Sequence, residues 1–402
     1  MSAKPATDVV FLSAVRTPFG TFGGSLKDMP VTELTTYAAK AAIERASIDA
    51  ADIDSSIFGC VLYTTPDSPY FARHVGLRSG CREDSSAFTV NRLCGSGFQA
   101  VVSGAQEILL GDSKVCLVGG ADSMSQAPHT AHVRWGTQLG KSPKLEDSLW
   151  AALTDSYAGL AMAETAENLA VKYNLDRSCV DEFALRSQQL ARDAWAAGAF
   201  KDEVIGVPVK NPKTRQVEMF SRDEHMRPDS TIEGLAKLKP VFKENGVVTA
   251  GNASGIGDGA GALVIADAKF ASERGIKPLG RLISWGFAGV DPKIMGIGPV
   301  PAAKKALHAA GMTLDQMDLI EVNEAFAAQS CAVERELQIP REKLNRQGGA
   351  IALSHPLAAS GARITAHLLH TLRAENKRYG LGSACIGGGQ GIAVIVESIS
   401  QG

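Results

Sequence analysis

The chain has 402 residues, 45% of them hydrophobic and 21% charged, a globular composition too long for one core, which stops growing near about 250–300 residues. Its 41 Lys and Arg against 43 Asp and Glu give a formal net charge of −2 without any block of like charges, which excludes an electrostatic footprint for nucleic acid or an anionic membrane. The longest apolar stretches, such as Gly391–Val396, are far shorter than a membrane span, and the seven scattered cysteines contain no Cys-x-x-Cys pair, against both structural zinc and a disulfide framework.

Met1–Asp8 shows neither a hydrophobic signal core nor an Arg-rich transit pattern, and Ser-Gln-Gly at the C-terminus is no peroxisomal address; a cytoplasmic location is expected. An alanine-rich helix from Ala38 leads through Ala46 to Ile53-Asp54, and Ile57–Leu62 is strand-like. Ala87–Val90 reads as a strand, Gly97–Leu110 as a helix and Val115–Gly120 as a further apolar segment. The pattern then changes, with Trp135, Trp150 and Trp195, an amphipathic run from Val180 to Trp195, and polar turns such as Asn211-Pro212-Lys213. Asn252-Ala253-Ser254-Gly255 restarts the first pattern. A second helix from Ala302 leads to Met317-Asp318 and the strand Leu319–Val322; a helix from Ser360 to Leu372 precedes apolar, glycine-ended Ser383–Gly389.

One offset of 264 residues relates Asp54 to Asp318 and Gly97 to Gly361. Alanine-rich helices can resemble each other by composition alone, but two matches at one offset read as a duplicated α/β unit. The expected division is residues 1–120 and 251–275 for the N-terminal half, 121–250 for an inserted loop domain, and 276–402 for the C-terminal half. Alternation of strands with helices predicts largely parallel pairing, with function on loops at strand ends.

Four segments carry candidate chemistry. Cys94, in Asn91-Arg92-Leu93-Cys94-Gly95-Ser96-Gly97, falls at a strand-to-helix turn, where free N–H groups and the helix dipole favour a thiolate; a small buried thiol fits the position equally well. His355, in Leu353-Ser354-His355-Pro356-Leu357-Ala358, sits between an apolar strand and a helix start, a place that a structural histidine also fits. The 264 offset maps Cys94 onto Ala358, so the two turns are equivalent and could meet, giving a cysteine nucleophile its base. Cys385, before Gly387-Gly388-Gly389, lies on a loop rich in N–H groups that suits an oxyanion or a tight sheet-edge turn. Asn323, in Asn323-Glu324-Ala325-Phe326, follows a strand and could also be a helix N-cap.

Together, in this order and with the duplication, these segments resemble the signature set of the thiolase family over nearly the whole chain, from Ala14-Val15-Arg16-Thr17-Pro18 onward. The resemblance implies a thiolase fold: duplicated α/β halves with mixed sheets and covering helices in five layers, plus an inserted loop domain. It implies that Cys94 takes the acyl group from a coenzyme A thioester and that His355 deprotonates it. Cys385 would be acid and base at the α-carbon of the second acetyl unit. Asn323 would hold a water of one oxyanion hole, and the N–H groups of Cys94 and Gly387 would form the other. Ala253, Ser254 and Phe326 would contact the pantetheine and acyl region, Leu153 and Met162 the pocket, and Arg227 the adenine side. Coenzyme A or acyl-CoA is then a substrate, with no covalent cofactor and no metal, and a homodimer or homotetramer follows from the family, with His132–Lys144 as a candidate tetramer contact.

Leu160-Ala161-Met162 lacks the histidine of acetoacetyl-CoA-specific members, and Lys144–Thr154 is similar to broad-range 3-ketoacyl-CoA thiolases of mitochondrial type. Reversible thiolysis of 3-ketoacyl-CoA is therefore expected; the alternatives are an acetoacetyl-CoA-specific acetyltransferase and a non-catalytic acyl-CoA-binding protein. Mitochondrial likeness keeps a matrix location open. A carrier-protein ketoacyl synthase is opposed by Cys385. Ser354 and Ala358 stand where the family usually has glycine, and either would be strained if its position uses positive φ.

Overall fold

The computed structural model describes residues 8–211 and 214–399. Residues 1–7, most of the turn expected at Asn211-Pro212-Lys213 and the C-terminal Ser-Gln-Gly lie outside them. The principal elements are strand β1 (Val9–Arg16), helix α1 (Val31–Ala46), β2 (Ser55–Gly59), β3 (Ser86–Val90), α2 (Ser96–Leu110) and β4 (Val115–Ser123). There follow α3 (Met162–Lys172), α4 (Arg177–Ala196), β5 (Gly257–Asp267), β6 (Gly280–Gly289), α5 (Pro299–Ala310), β7 (Leu319–Val322), α6 (Ala327–Leu337), α7 (Ala359–Ala374), β8 (Tyr379–Ile386) and β9 (Gln390–Ser398).

The strands form one continuous sheet in the order β7-β8-β9-β6-β1-β5-β4-β2-β3. Its middle is thin, since β1 and β6 pair only at Val10–Arg281 and Phe11–Gly280. The chain thus builds two sheet halves joined by a short seam. The 264-residue offset recurs in the elements: β2 and β7 start at Ser55 and Leu319, and β4 and β8 at Val115 and Tyr379.

Pairing corrects the expectation of largely parallel strands. Among the described residues only the strand pairs β2 with β3, β2 with β4, and β7 with β8 run parallel. Parallel neighbours need a crossover helix. Elsewhere the chain reverses; β8 and β9, for example, are joined by the Gly387–Gly389 turn and pair antiparallel.

Three apolar clusters set the layers. One packs α1 on β1, β4 and β5 through Leu34, Ala38, Leu117 and Val264. Another packs α5, α6, α3 and α4 on β7, β8 and β9 through Ala303, Val333, Leu169, Phe183 and Ile395. Between the two sheet halves lie the equivalent helices α2 and α7, joined by Phe98, Val101, Ala362, Ile364 and Leu368. Helix, sheet, helix, sheet, helix is the resulting order. The central helices cross in backbone contact: a Cβ on Gly97 would lie 2.4 Å from the Ala358 carbonyl oxygen, and one on Gly361 would lie 2.2 Å from the Phe98 nitrogen. This contact places the N-terminal turns of α2 and α7, and hence the loops of Cys94 and His355, side by side.

Candidate active site

Cys94 lies in a short turn, Leu93–Gly95, between β3 and α2. The turn is closed on itself: Ser96 Oγ accepts the Arg92 N–H at 2.8 Å and donates to the Leu93 carbonyl at 2.7 Å. Leu93 takes φ +47°, and its N–H donates to Asn91 Oδ1 at 3.0 Å. These bonds fix the direction of the thiol. Burial pushes the Cys94 thiol up to about 12, the N–H groups of Gly387 and Cys94 itself pull it down, and the Asp122 carboxylate adds to the rise. The expected bias toward a resting thiolate is therefore corrected. Desolvation of the sulfur outweighs the helix start and its donors, and the free thiol stays protonated.

His355 is buried between the turn Ala350–Leu353 and α7. The apolar segment before it is a helical turn, not the expected strand; four residues alone do not distinguish the two periods. The His355 N–H donates to the Gly255 carbonyl at 2.9 Å. Nδ1 lies 2.6 Å from Ser360 Oγ, and Asn323 Nδ2 lies 3.3 Å from Nε2. Asn323 Nδ2 also lies 3.5 Å from Nδ1, so the amide reaches both ring nitrogens. Burial, and next the Arg363 charge, push the ring down to about 3, so it is neutral. Among the described residues no hydrogen bond joins His355 to Cys94; what joins them is the α2–α7 contact.

Asn323 follows β7 and is fully buried, with its N–H on the Ser383 carbonyl at 2.9 Å. It is not a helix cap, because α6 starts at Ala327 after Phe326. Its Oδ1 is buried without a protein partner among the described residues. Cys385, near the end of β8, is buried against Met295, Ala325, Met162 and Phe326. Burial pushes its thiol up, and the neighbouring Cys94 adds to this. Beyond it Gly387 brings its N–H to the Cys94 sulfur, and Gly388 and Gly389 turn the chain at φ +80° and +81°.

The structure gathers the remaining expected residues unevenly. Leu153 packs in one cluster with Cys94, Leu93, Leu357 and Ala358. Ala253 pairs with Phe326, and the Ser254 N–H donates to the Ala325 carbonyl at 3.0 Å. Arg227 stands apart. It is exposed at a separate cavity of about 670 Å³, shared with His225, Ser230, Thr231, Leu235 and Gly251. Gly251 connects that cavity to Ala253 and Ser254 along the chain.

Sequence reasoning missed three supporting residues. Asp122 Oδ1 accepts the N–H groups of Val61 and Leu62 at 3.0 Å each, and Oδ2 accepts that of Ala358 at 2.7 Å. Burial still raises its carboxyl to about 6. A single acid in the apolar run Val115–Ser123 was the available signal. Glu324 accepts from Ser187 Oγ at 2.6 Å, Asn345 Nδ2 at 2.9 Å and the Ile351 N–H at 3.1 Å, which braces the segment before His355. Ser360 Oγ holds the imidazole at Nδ1 at 2.6 Å.

Of the two positions expected as glycine, Ala358 has ordinary helical angles (φ −69°, ψ −25°) and carries no strain. Ser354 is at φ +85°, ψ 166°, a region nearly restricted to glycine.

Two protonated thiols, a neutral imidazole and a backbone N–H at the Cys94 sulfur can support acyl transfer and proton abstraction next to a carbonyl. The family description "Thiolase, N-terminal domain" matches residues 9–269, and "Thiolase, C-terminal domain" matches residues 276–398. Human mitochondrial 3-ketoacyl-CoA thiolase is 54% identical over 391 residues, covering 97% of this chain and 98% of that protein. Acetyl-CoA acetyltransferase of Syntrophomonas wolfei is 46% identical, covering 98% of this chain and 99% of that protein. The crystal structure of the human mitochondrial enzyme in complex with CoA superposes with a TM-score of 0.95 at 52% identity, covering 98% of each chain. The human relative's mitochondrial name overturns the expected cytoplasmic location.

Proposed function

This chain belongs to the thiolase family, and from that premise we propose that it cleaves 3-ketoacyl-CoA with coenzyme A, reversibly, through an acyl-Cys94 intermediate. The observation that supports this reading is that Cys94 lies beside Cys385 and the Gly387 N–H, while the α2–α7 contact sets the turn of the Asn323–His355 pair alongside.

In thiolysis the Cys94 sulfur bonds to the 3-keto carbon as its proton passes to His355. Both groups are neutral at rest, so the thiolate forms with substrate in place. The bond between carbons 2 and 3 then breaks. The electron pair goes to the acetyl-CoA enolate, which Cys385 protonates. The N–H groups of Cys94 and Gly387 face one developing oxyanion, and Asn323 with His355 serves the other. A second coenzyme A gives its thiol proton to the Cys385 thiolate and takes the acyl group from Cys94, whose departing sulfur regains its proton from His355. Condensation is the same sequence reversed. Coenzyme A is thus a substrate, and no covalently bound cofactor is required. Ala253, Ser254 and Phe326 hold the pantetheine arm, Leu153 and Met162 shape the acyl pocket, and Arg227 serves the adenine end.

Ala161 before Met162 supports a broad 3-ketoacyl preference; the 46% identical acetyltransferase keeps acetoacetyl-CoA as the competing substrate. A homodimer or homotetramer is supported by β3, whose outer edge is unpaired among the described residues, and by Trp135 and Leu139, which are 94% and 105% exposed. Light scattering of the purified protein tests this, and a monomer at micromolar concentration contradicts it.

The activity is tested by thiolysis of acetoacetyl-CoA and 3-ketooctanoyl-CoA, with Cys94→Ala alongside. Loss of 3-ketoacyl absorbance should need free coenzyme A and fall by at least about a thousandfold in the variant, because the covalent route is gone. Coenzyme A binding without turnover of either substrate would refute it in favour of a binding protein.

A further inference from the structure

A second pair of thiols lies outside the pocket. Cys179 is in the first turn of α4 and retains exposed surface. Its N–H donates to the capping Asp176 carboxylate at 2.8 Å. Arg335 on α6 directs Nη2 at the Cys179 sulfur at 3.7 Å, while its Nη1 is fixed on the Tyr173 carbonyl at 2.8 Å. Cys331, one helical turn before Arg335, is buried in the apolar cluster against which Cys179 packs. The neighbouring Cys331 thiol and then Arg335 pull Cys179 below the ordinary thiol value against burial and Asp176, whereas Cys331 is pushed above it. Cys60 and Cys116 have the opposite surroundings: burial pushes both thiols up, and Asp122 and Glu107 beside them add to the rise.

An accessible thiolate beside a buried neutral thiol is the arrangement of an attacking and a resolving cysteine. We propose that Cys179 and Cys331 form a peroxide-sensitive dithiol that closes to a disulfide. The Cys179 thiolate attacks hydrogen peroxide, the O–O bond breaks, and the departing hydroxide takes a proton to leave as water, giving a sulfenic acid. The Cys331 sulfur then attacks that of Cys179. The hydroxyl leaves with the Cys331 proton as a second water, and the two electrons that reduced the peroxide come from the dithiol. The cross-link would join two helices that brace the Asn252–Ser254 segment. Asp181 of α4 accepts from Asn252 Nδ2 at 2.8 Å, and Ala327 of α6 donates to the Asn252 carbonyl at 2.8 Å.

The test is titration of the full-length protein with hydrogen peroxide, acid quench, differential alkylation and peptide mass spectrometry. A Cys179–Cys331 peptide should accumulate at peroxide levels at least about tenfold below those that oxidise Cys60 or Cys116. In Cys331→Ser, Cys179 should stop at a sulfenic acid trapped by dimedone. Cys179 oxidising no sooner than Cys60 and Cys116 would overturn the proposal. So would a persistent Cys179 sulfenic acid in the unsubstituted protein with Cys331 still reduced. The map of the unsubstituted protein decides alone if the variant does not fold.

Discussion

Ser354 is held at φ +85° directly before His355, and its hydroxyl donates to the Gly255 carbonyl at 3.0 Å, the same oxygen that takes the His355 N–H. Strain in that region costs about 1–3 kcal/mol and a buried hydrogen bond returns about 1 kcal/mol. Ser354→Gly should therefore raise stability by roughly 1 kcal/mol, and Ser354→Ala should lower it by roughly 1 kcal/mol. Denaturant unfolding of both checks this, and equal shifts would show that the hydroxyl rather than the backbone dominates. The candidate side chains were legible in the sequence because each stands at the end of an apolar run, with glycines following Cys94 and Cys385. Their protonation was not. The position of Cys94 suggested a thiolate, but burial, which depends on side chains distant along the chain, reversed the sign. Asn323 looked like a cap because the four-residue gap before α6 leaves no mark in the sequence. Asp122 acts through three backbone N–H groups, two in one loop and one in another, and only folding brings these together.

At the scale of elements, the α2–α7 crossing makes a sharp demand on side-chain size. Gly361→Ala would put a methyl 2.2 Å from the Phe98 nitrogen, backbone that cannot rotate away. Forcing the helices apart should cost about 3 kcal/mol or more, read as a lower unfolding midpoint and loss of thiolysis as the Cys94 and His355 turns separate. Gly111→Ala at the exposed end of α2 meets no atom within 4 Å; its cost should be limited to its positive φ and leave activity intact. The duplication was legible because matching helices keep one offset, which the strand starts Ser55 and Leu319 repeat. Strand direction was not, because alternation of strands and helices does not reveal which strands become neighbours. The long excursion from β4 to β5 returns the chain antiparallel, a long-range outcome that local pattern does not encode.

Across the whole molecule, a buried ionic network ties the segments together. Arg16 of β1 reaches Glu203 at 2.8 Å and Asp223 at 2.7 Å; His367 of α7 holds Glu203 at 2.8 Å, and Arg363 holds Glu321 of β7 at 3.0 Å. Burial opposes ionisation of Glu203, but His367 and Arg16 outweigh it and bring the carboxyl down to about 2. A depressed acid contributes stability that is present above its ordinary value near 4.5 and lost as pH falls toward 2. His367 is raised despite burial, chiefly by Glu203, so its contribution is present below about 6.5 and lost as pH rises through its folded value. Stability should therefore decline on both sides of the mildly acidic range. Glu203→Gln leaves Arg16 and His367 short of their partner and should cost about 3–5 kcal/mol, with a flatter pH profile. Thermal unfolding from pH 3 to 9 checks both statements, and an unchanged profile in the variant would remove Glu203 from the account.

The central claim is a covalent acyl group on Cys94, and the most direct measurement is mass spectrometry of the protein mixed with acetyl-CoA and quenched in acid. The account predicts one acetyl group, confined to the Cys94 peptide, released by added coenzyme A and absent in Cys94→Ala. Acetylation of Cys385 or Cys179 in its place, or no adduct in a protein that still performs thiolysis, would contradict it.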